Sequence, residues 1–233
     1  MRVTFLGTGT SHGVPMIGCG CPTCRSADPR DTRLRPSIHV RMEDGTSILV
    51  DAGPDLRQQA LVHGIAHVDA IVFTHGHADH ILGLDETRRF TGHAGPPLRC
   101  YGDDATLADI RRMFAYVFDP ATPKGGGLPL LDLVRIDGPF RIGPHEIRPV
   151  PLVHGERPIL GLRFGSFAYL TDCNRIPDGS WALLHDLDVV VLDALRERPH
   201  PTHFSLSEAV EAARRIGARR TYFTHMCHDL GHA

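Results

Sequence analysis

The chain has 233 residues, 42% of them hydrophobic, and a formal net charge of −2 with acidic and basic side chains interspersed. That length suffices to bury a sizeable core, and the balanced charge excludes a protein that grips long nucleic acid or a membrane surface by its electrostatic field. A small anionic ligand stays compatible with it. No Ser/Gly tract, charge block or low-complexity run divides the sequence, and the breaker-rich stretch 119–129 is short enough for a surface loop, so a single domain over 1–233 is expected. The start runs straight into Arg2-Val3-Thr4-Phe5-Leu6 with no signal-peptide pattern, and no apolar stretch matches a bilayer span, which makes the cytoplasm the expected location.

Short apolar, β-branched runs predict strands, in chain order, at Val3–Leu6, Ile38–Met42, Ser47–Val50, Ala70–Phe73, Val150–Val153, Ala168–Leu170, Val189–Leu192 and Thr221–Phe223. Helical periodicity falls at Asp55–His63, Ile81–Phe90, Ala105–Phe114 and Ser205–Ile216, where Ser205 and Glu208 make the pattern of a capping box. Strands cluster in meander-like groups, as over Phe140–Leu170, and helices come singly between groups. That pattern is mixed α/β and suits layered sheets with outer helices better than strict βαβ alternation.

Several strands end in a metal-competent side chain: Val72-Phe73-Thr74-His75, Leu152-Val153-His154, Leu170-Thr171-Asp172 and Phe223-Thr224-His225. Rigid strands with ligands at their loop ends are a usual way to build a binding rim. In His75-Gly76-His77-Ala78-Asp79-His80, extended backbone lets His75 and His77 chelate one cation, while Asp79 and His80, at the turn into a helix, suit a second. A single carboxylate such as Asp172 can bridge two metals. The chain has 16 histidines in all. His39, His63, His67, His93, His145, His185 and His232 are read as surface or loop residues, and His12, in a Gly-rich loop, is the one of this group with a route to the site.

A second cluster is Cys19-Gly20-Cys21-Pro22-Thr23-Cys24, three thiols too close in sequence for easy disulfides but well spaced for zinc. A closed tetrahedral site needs a fourth ligand, for which His228 is the candidate and Cys227 the competitor. Cys100 reads as a buried free thiol, and Cys173 as a lining residue beside Asp172.

These motifs resemble, over nearly the whole chain, the metallo-β-lactamase-fold hydrolases: Asp51 in Val50-Asp51-Ala52-Gly53, then His75 to His80, His154, Asp172 and His225, in the family's order. The resemblance implies an αββα sandwich, one metal on His75, His77 and His154, a second on Asp79, His80 and His225, Asp172 bridging, and Asp51 orienting ligands. Gly7-Thr8-Gly9, Gly13-Val14-Pro15, the Cys cluster and Thr224-His225-Met226-Cys227-His228 are similar to the PhnP-type phosphodiesterases. That likeness implies a structural zinc on Cys19, Cys21, Cys24 and His228 beside two active-site divalent metals, Zn or Mn. It further implies attack of a metal-bridging hydroxide on a small cyclic phosphodiester such as 5-phosphoribosyl 1,2-cyclic phosphate.

Phosphodiester cleavage needs an acid for the departing alkoxide. His203 is the candidate, with Asp193, at the end of the Val189 strand, as its carboxylate partner; His200 is the alternative. Asp79, His203 and Asp193 are thus the candidate catalytic groups. The expected partner is a small phosphodiester, without long nucleic acid or membrane, and a homodimer is compatible with the sequence. A tRNA-processing nuclease of this fold carries a long Gly/Pro-rich arm that this chain lacks. Hydrolysis of another ester or a thioester is the alternative; thioester or lactam hydrolysis suits the metal ligands but gives Asp193 and His203 no role, and a non-catalytic PqqB-like zinc protein shares the C-x-C-x-x-C pattern.

Overall fold

The computed structural model describes residues 1–91, 95–123 and 127–232. His93 and most of the segment Lys124-Gly125-Gly126-Gly127, read from the sequence as a rim, lie outside them. The chain gathers into two compact units, Met1–Leu6 with Ser37–Asp137, and Gly7–Pro36 with Gly138–Ala233.

The first unit is built on a six-stranded sheet in the order β1 (Arg2–Gly7), β2 (Ser37–Arg41), β3 (Ser47–Val50), β4 (Ala70–Val72), β5 (Leu98–Gly102) and β6 (Leu131–Arg135). β2 and β3 are antiparallel, while β3 through β6 are parallel. Its helices are α1 (Leu56–His63), α2 (Ala78–Ile81), α3 (Arg88–Thr91), α4 (Asp104–Met113) and α5 (Ala115–Phe118). Every residue of β3 and β4 is buried. Parallel strands covered on both faces demand such continuous apolar runs, which is why Ile48-Leu49-Val50 and Ala70-Ile71-Val72 do not alternate.

The helix expected over Ile81–Phe90 is not continuous. It breaks into α2, a 3-10 turn over Leu84–Thr87, and α3. Gly83 explains the break: its N–H donates to the Ala52 carbonyl at 2.8 Å, and a Cβ there would stand 2.0 Å from the Gly53 oxygen. The backbone is drawn onto the 51–53 turn, and Ala52 N–H returns a bond to the His80 carbonyl at 2.7 Å. The strands β5 and β6 were not expected from periodicity.

The second unit holds a six-stranded sheet in the order β12 (Arg220–Thr224), β11 (Val189–Asp193), β10 (Phe167–Leu170), β9 (Arg157–Phe164), β8 (His145–His154) and β7 (Phe140–Ile142), with α6 (Asp178–Trp181) and α7 (Leu206–Ile216). β7 to β10 form the antiparallel meander, and β10, β11 and β12 run parallel. α7 begins as its sequence dictates: Ser205 accepts the Glu208 N–H, and the Glu208 side chain accepts the Ser205 N–H. It ends at Gly217, whose φ of 68° only a residue without Cβ adopts at no cost. The buried face of α7, Ala209, Ala212 and Ile216, joins Leu170, Val190 and Leu192 in this unit's core. No described helix is long and apolar enough to cross a membrane.

Ser205→Ala is expected to cost about 1 kcal/mol, read by urea denaturation. Gly83→Ala, which must push two backbone segments apart, is expected to cost about 1–3 kcal/mol in the same assay.

Candidate metal centre

In the first unit the functional groups lie at the C-terminal ends of parallel strands, where open α/β sheets bind ligands. Asp51 follows β3, and His75 comes three residues after β4. Asp51 is fully buried and adopts φ 61°, a left-handed conformation uncommon for a residue with Cβ. Its carboxylate accepts the Thr74 N–H at 2.8 Å, the Thr74 hydroxyl at 2.9 Å and His80 Nδ1 at 2.8 Å. Burial pushes this carboxyl up, and the charge and hydrogen bonds of His80 oppose the shift. With its hydrogen given to Asp51, the Thr74 oxygen accepts from His75 Nδ1 at 3.0 Å.

Both imidazoles are therefore anchored through Nδ1, which leaves the lone pair of each neutral ring on Nε2. The rings of His75 and His77 are 4.4 Å apart between centroids, those of His75 and His80 4.2 Å. His80 Nε2 lies 3.4 Å from Asp79 Oδ2. This unit thus brings His75, His77, Asp79 and His80 to one end of its strands, imidazole and carboxylate donors of the kind that divalent cations take.

The second unit repeats the device. Asp172 follows β10, Asp193 ends β11, and His225 follows β12, at the same end of adjacent parallel strands. Asp172 and His225 adopt φ 57° and 60°. Asp172 Oδ2 is 3.1 Å from His225 Nε2. His154 Nδ1 donates to the Thr202 carbonyl at 2.8 Å, again placing the lone pair on Nε2.

Asp193, fully buried, serves two rings: Oδ2 accepts from His203 Nδ1 at 2.9 Å and from the Phe204 N–H at 3.2 Å, while Oδ1 faces His225 Nδ1 at 3.7 Å. Burial pushes this carboxyl well up, and His225 opposes the shift. The His203 and His225 rings stack at 4.6 Å with 13° between planes, and His154 meets His203 edge-on at 4.6 Å. His200 lies 5.2 Å from the His203 ring, and its Nδ1 accepts the Thr202 N–H instead of meeting a carboxylate. Of the two candidate proton donors, His203 alone has the carboxylate partner that Asp193 supplies.

Cys19, Cys21, Cys24 and His228 also converge within the second unit. Their sulfurs lie 3.1, 3.4 and 3.7 Å from His228 Nδ1. A tetrahedral zinc with ordinary Zn–S and Zn–N bonds separates such ligand atoms by about 3.5 Å, so the four donors fit one. The Cys24 N–H holds the Cys21 thiol down to about 6, whereas burial and then the neighbouring thiols push Cys24 up to about 11. Three thiolates this close need a cation among them. Cys227 stands outside the group, its sulfur accepting the Asp229 N–H at 3.3 Å.

Cys173 does not line the site; it is buried in this unit's core. Cys100 is a buried thiol in the first unit's core, as expected. His12 lines a cavity of about 350 Å³ with Arg196, Arg198, His200 and His203. Sequence reasoning passed over Thr74, although a threonine before the ligand recurs at three strand ends. It also passed over Arg33, buried beside Asp31 at 3.0 Å and donating to the Cys227 carbonyl at 3.1 Å. Nothing in the local sequence marks Arg33, because its partner lies at the far end of the chain.

Residues 46–226 match the family described as the β-lactamase superfamily domain. Among solved structures, the chain is similar to a diphosphatase from the PhnP family, with 45% identity, a TM-score of 0.92, and coverage of 99% of this chain and 87% of that one. It is 38% identical to a protein of Porphyromonas gingivalis named octanoyltransferase, over 98% of this chain and 46% of that protein. It is 33% identical to coenzyme PQQ synthesis protein B of Rhodopseudomonas palustris, over 48% of this chain and 38% of that protein. The chain thus spans less than half the length of these curated relatives.

Cys21→Ser is expected to lower the bound metal by one equivalent in elemental analysis and to lower Tm by at least about 4 °C.

Proposed function

The chain belongs to the β-lactamase superfamily and has the metallo-β-lactamase fold of a metal-dependent hydrolase, and on that premise we propose that it cleaves a small cyclic phosphodiester such as 5-phosphoribosyl 1,2-cyclic phosphate. We assign His75, His77 and His154 to one divalent cation, Asp79, His80 and His225 to a second, and Asp172 to both. Cys19, Cys21, Cys24 and His228 are assigned to a structural zinc. Divalent metal bound by the first two sets supplies Lewis acidity toward phosphoryl oxygens and an activated water, and imidazole with carboxylate suits Mn as well as Zn.

The observation that carries a phosphodiester over a thioester or a diphosphate is the buried Asp193–His203 pair. An alkoxide is a poor leaving group and needs a proton as the P–O bond breaks. His203 would give that proton from Nε2, with Asp193 holding the ring by its Nδ1. Asp193 positions the donor and does not itself touch substrate. The cavity beside His203, with His12, His200, Arg196, Arg198 and Asp229 on its walls, the last paired with Arg198 at 2.9 Å, is of a size for a small substrate.

Two other readings each have an observation behind them. The similar PhnP-family protein is called a diphosphatase, which favours a P–O–P bond, whose phosphate leaving group depends less on an acid. The Porphyromonas gingivalis relative is called an octanoyltransferase, which favours an acyl ester or thioester. A panel of ribose cyclic phosphate, a nucleoside diphosphate, bis-p-nitrophenyl phosphate and an acyl thioester, each with Mn or Zn, separates the three.

His203→Ala is expected to lower kcat on the alkyl phosphodiester by about 10²–10⁴-fold, yet far less on bis-p-nitrophenyl phosphate, whose phenolate leaves without protonation. Equal losses on both would remove the acid role. Asp172→Ala is expected to abolish turnover of either substrate; full retention would show that the working site lies elsewhere.

A further inference from the structure

The first unit carries a second cluster of cationic and imidazole side chains, at the opposite edge of its sheet from His75–His80. β2 and β3 pair so that Arg41 faces Ser47 and His39 faces Leu49. Ser47 opens β3 and Asp51 follows its end, about 13 Å away at the rise of a strand. On β2 the period of two sends Ile38 and Val40 to the core and places His39 and Arg41 on the other face. There Arg2, His39, Arg41, Ser47, His63 and His67 line a cavity of about 250 Å³. None of its lining side chains is acidic.

The floor of this cavity is ordered by hydrogen bonds. The Ser47 hydroxyl donates to the His67 carbonyl at 2.8 Å and so accepts from His39 Nε2 at 2.7 Å. Asp69 binds outside the lining, taking His67 Nε2 at 2.8 Å on one oxygen and the Ser47 N–H at 2.8 Å on the other. His39, expected from the sequence to lie on the surface, is half-buried. Burial first, then Arg41, His63 and Arg2, hold its imidazole below the ordinary histidine range.

Two features act in the other direction, the Asp69 carboxylate behind His67 and Ser47 and a helix end. α1 ends here, and a helix C-terminus carries roughly half a negative charge. The Gly64 and Ile65 N–H groups already bond the Ala60 carbonyl, and His63 sits in the last turn. Against that half charge and the Asp69 carboxylate stand two full guanidinium charges, those of Arg2 and Arg41.

We propose that this cavity binds a small dianion bearing a phosphate group, with Arg2 and Arg41 as its charged grips, His63 as a further donor and His39 as a wall held in place by Ser47. Arginine suits that role through its forked donors. The volume falls just under the roughly 300–1,000 Å³ of ordinary small-molecule sites, which favours a phosphate or a compact phosphate monoester over a nucleotide. The site does not depend on which reaction the chain catalyses.

The test is NMR of the histidine ring signals of the whole chain, assigned through His39→Gln and His63→Gln, during titration with inorganic phosphate and separately with phenyl phosphate at constant ionic strength. A saturable shift of His39 and His63 is expected, with affinity weakened about tenfold in Arg41→Gln and again in Arg2→Gln. Tighter binding of phenyl phosphate would identify a monoester site, and equal binding a site for the phosphate group alone. Shifts matched by sodium chloride, or unchanged in the double variant, would overturn the proposal. So would saturation only by anionic vesicles or an oligonucleotide. Both arginines are exposed, and circular dichroism of the variants verifies that the fold is intact.

Discussion

A carboxylate removed from water is tolerated only where donors surround it, and in this protein those donors are the functional side chains themselves. Asp51 takes His80 and both polar groups of Thr74, and Asp193 takes His203 and the Phe204 N–H with His225 alongside. The same bond that makes each buried charge affordable fixes an imidazole through Nδ1 and aims its Nε2. His75, held by Thr74, and His154, held by the Thr202 carbonyl, obey the same rule with neutral acceptors. Removing either aspartate therefore has two effects: it strands buried donors, and it releases the rings whose orientation defines the site.

The second constraint is backbone strain. Asp51, Asp172 and His225 stand in the left-handed region at the ends of three different strands. Each costs about 1–2 kcal/mol relative to ordinary backbone. What the conformation achieves is an abrupt turn away from the strand, so that a side chain fully inside the protein still faces the rim. Aspartate and histidine are among the residues that enter this region most readily after glycine, and unlike glycine they bring a ligand.

Much of this was legible in the sequence. The strings Thr74-His75, Thr171-Asp172 and Thr224-His225, each after an apolar run, located the strand ends and the polar side chains that the structure places there, because the apolar run stops where the strand leaves the sheet. The capping box of Ser205 and Glu208 was equally plain, being a local pattern with a local cause. Other features were hidden for physical reasons. Ile81–Phe90 has good helical periodicity, and only the approach of Gly83 to Gly53, a tertiary contact, breaks it. β5 and β6 were missed because Arg99 and Asp132 interrupt short runs at positions that the sheet leaves exposed. Neither the left-handed residues nor the partnership of Arg33 with Cys227 leaves a local signature, and His39 looked like any surface histidine until β2 and β3 were in register.

The second unit is discontinuous: Gly7–Pro36 belongs with Gly138–Ala233, and the bulk of the other unit is threaded between them. Cys19, Cys21 and Cys24 wait on His228, Gly9 pairs with Met226, and Arg33 reaches Cys227. During synthesis the segment Ser37–Asp137 emerges with nearly all of its own sheet, and can condense while the chain is still growing. The thiol cluster emerges earlier still but has no fourth ligand until His228 is made. For that interval it is an open, cation-hungry tripod on an unfinished chain, exposed to whatever soft metal or oxidant the compartment holds. Maturation of the protein is thus a matter of timing as well as affinity, set by how soon His228 arrives to close the cluster.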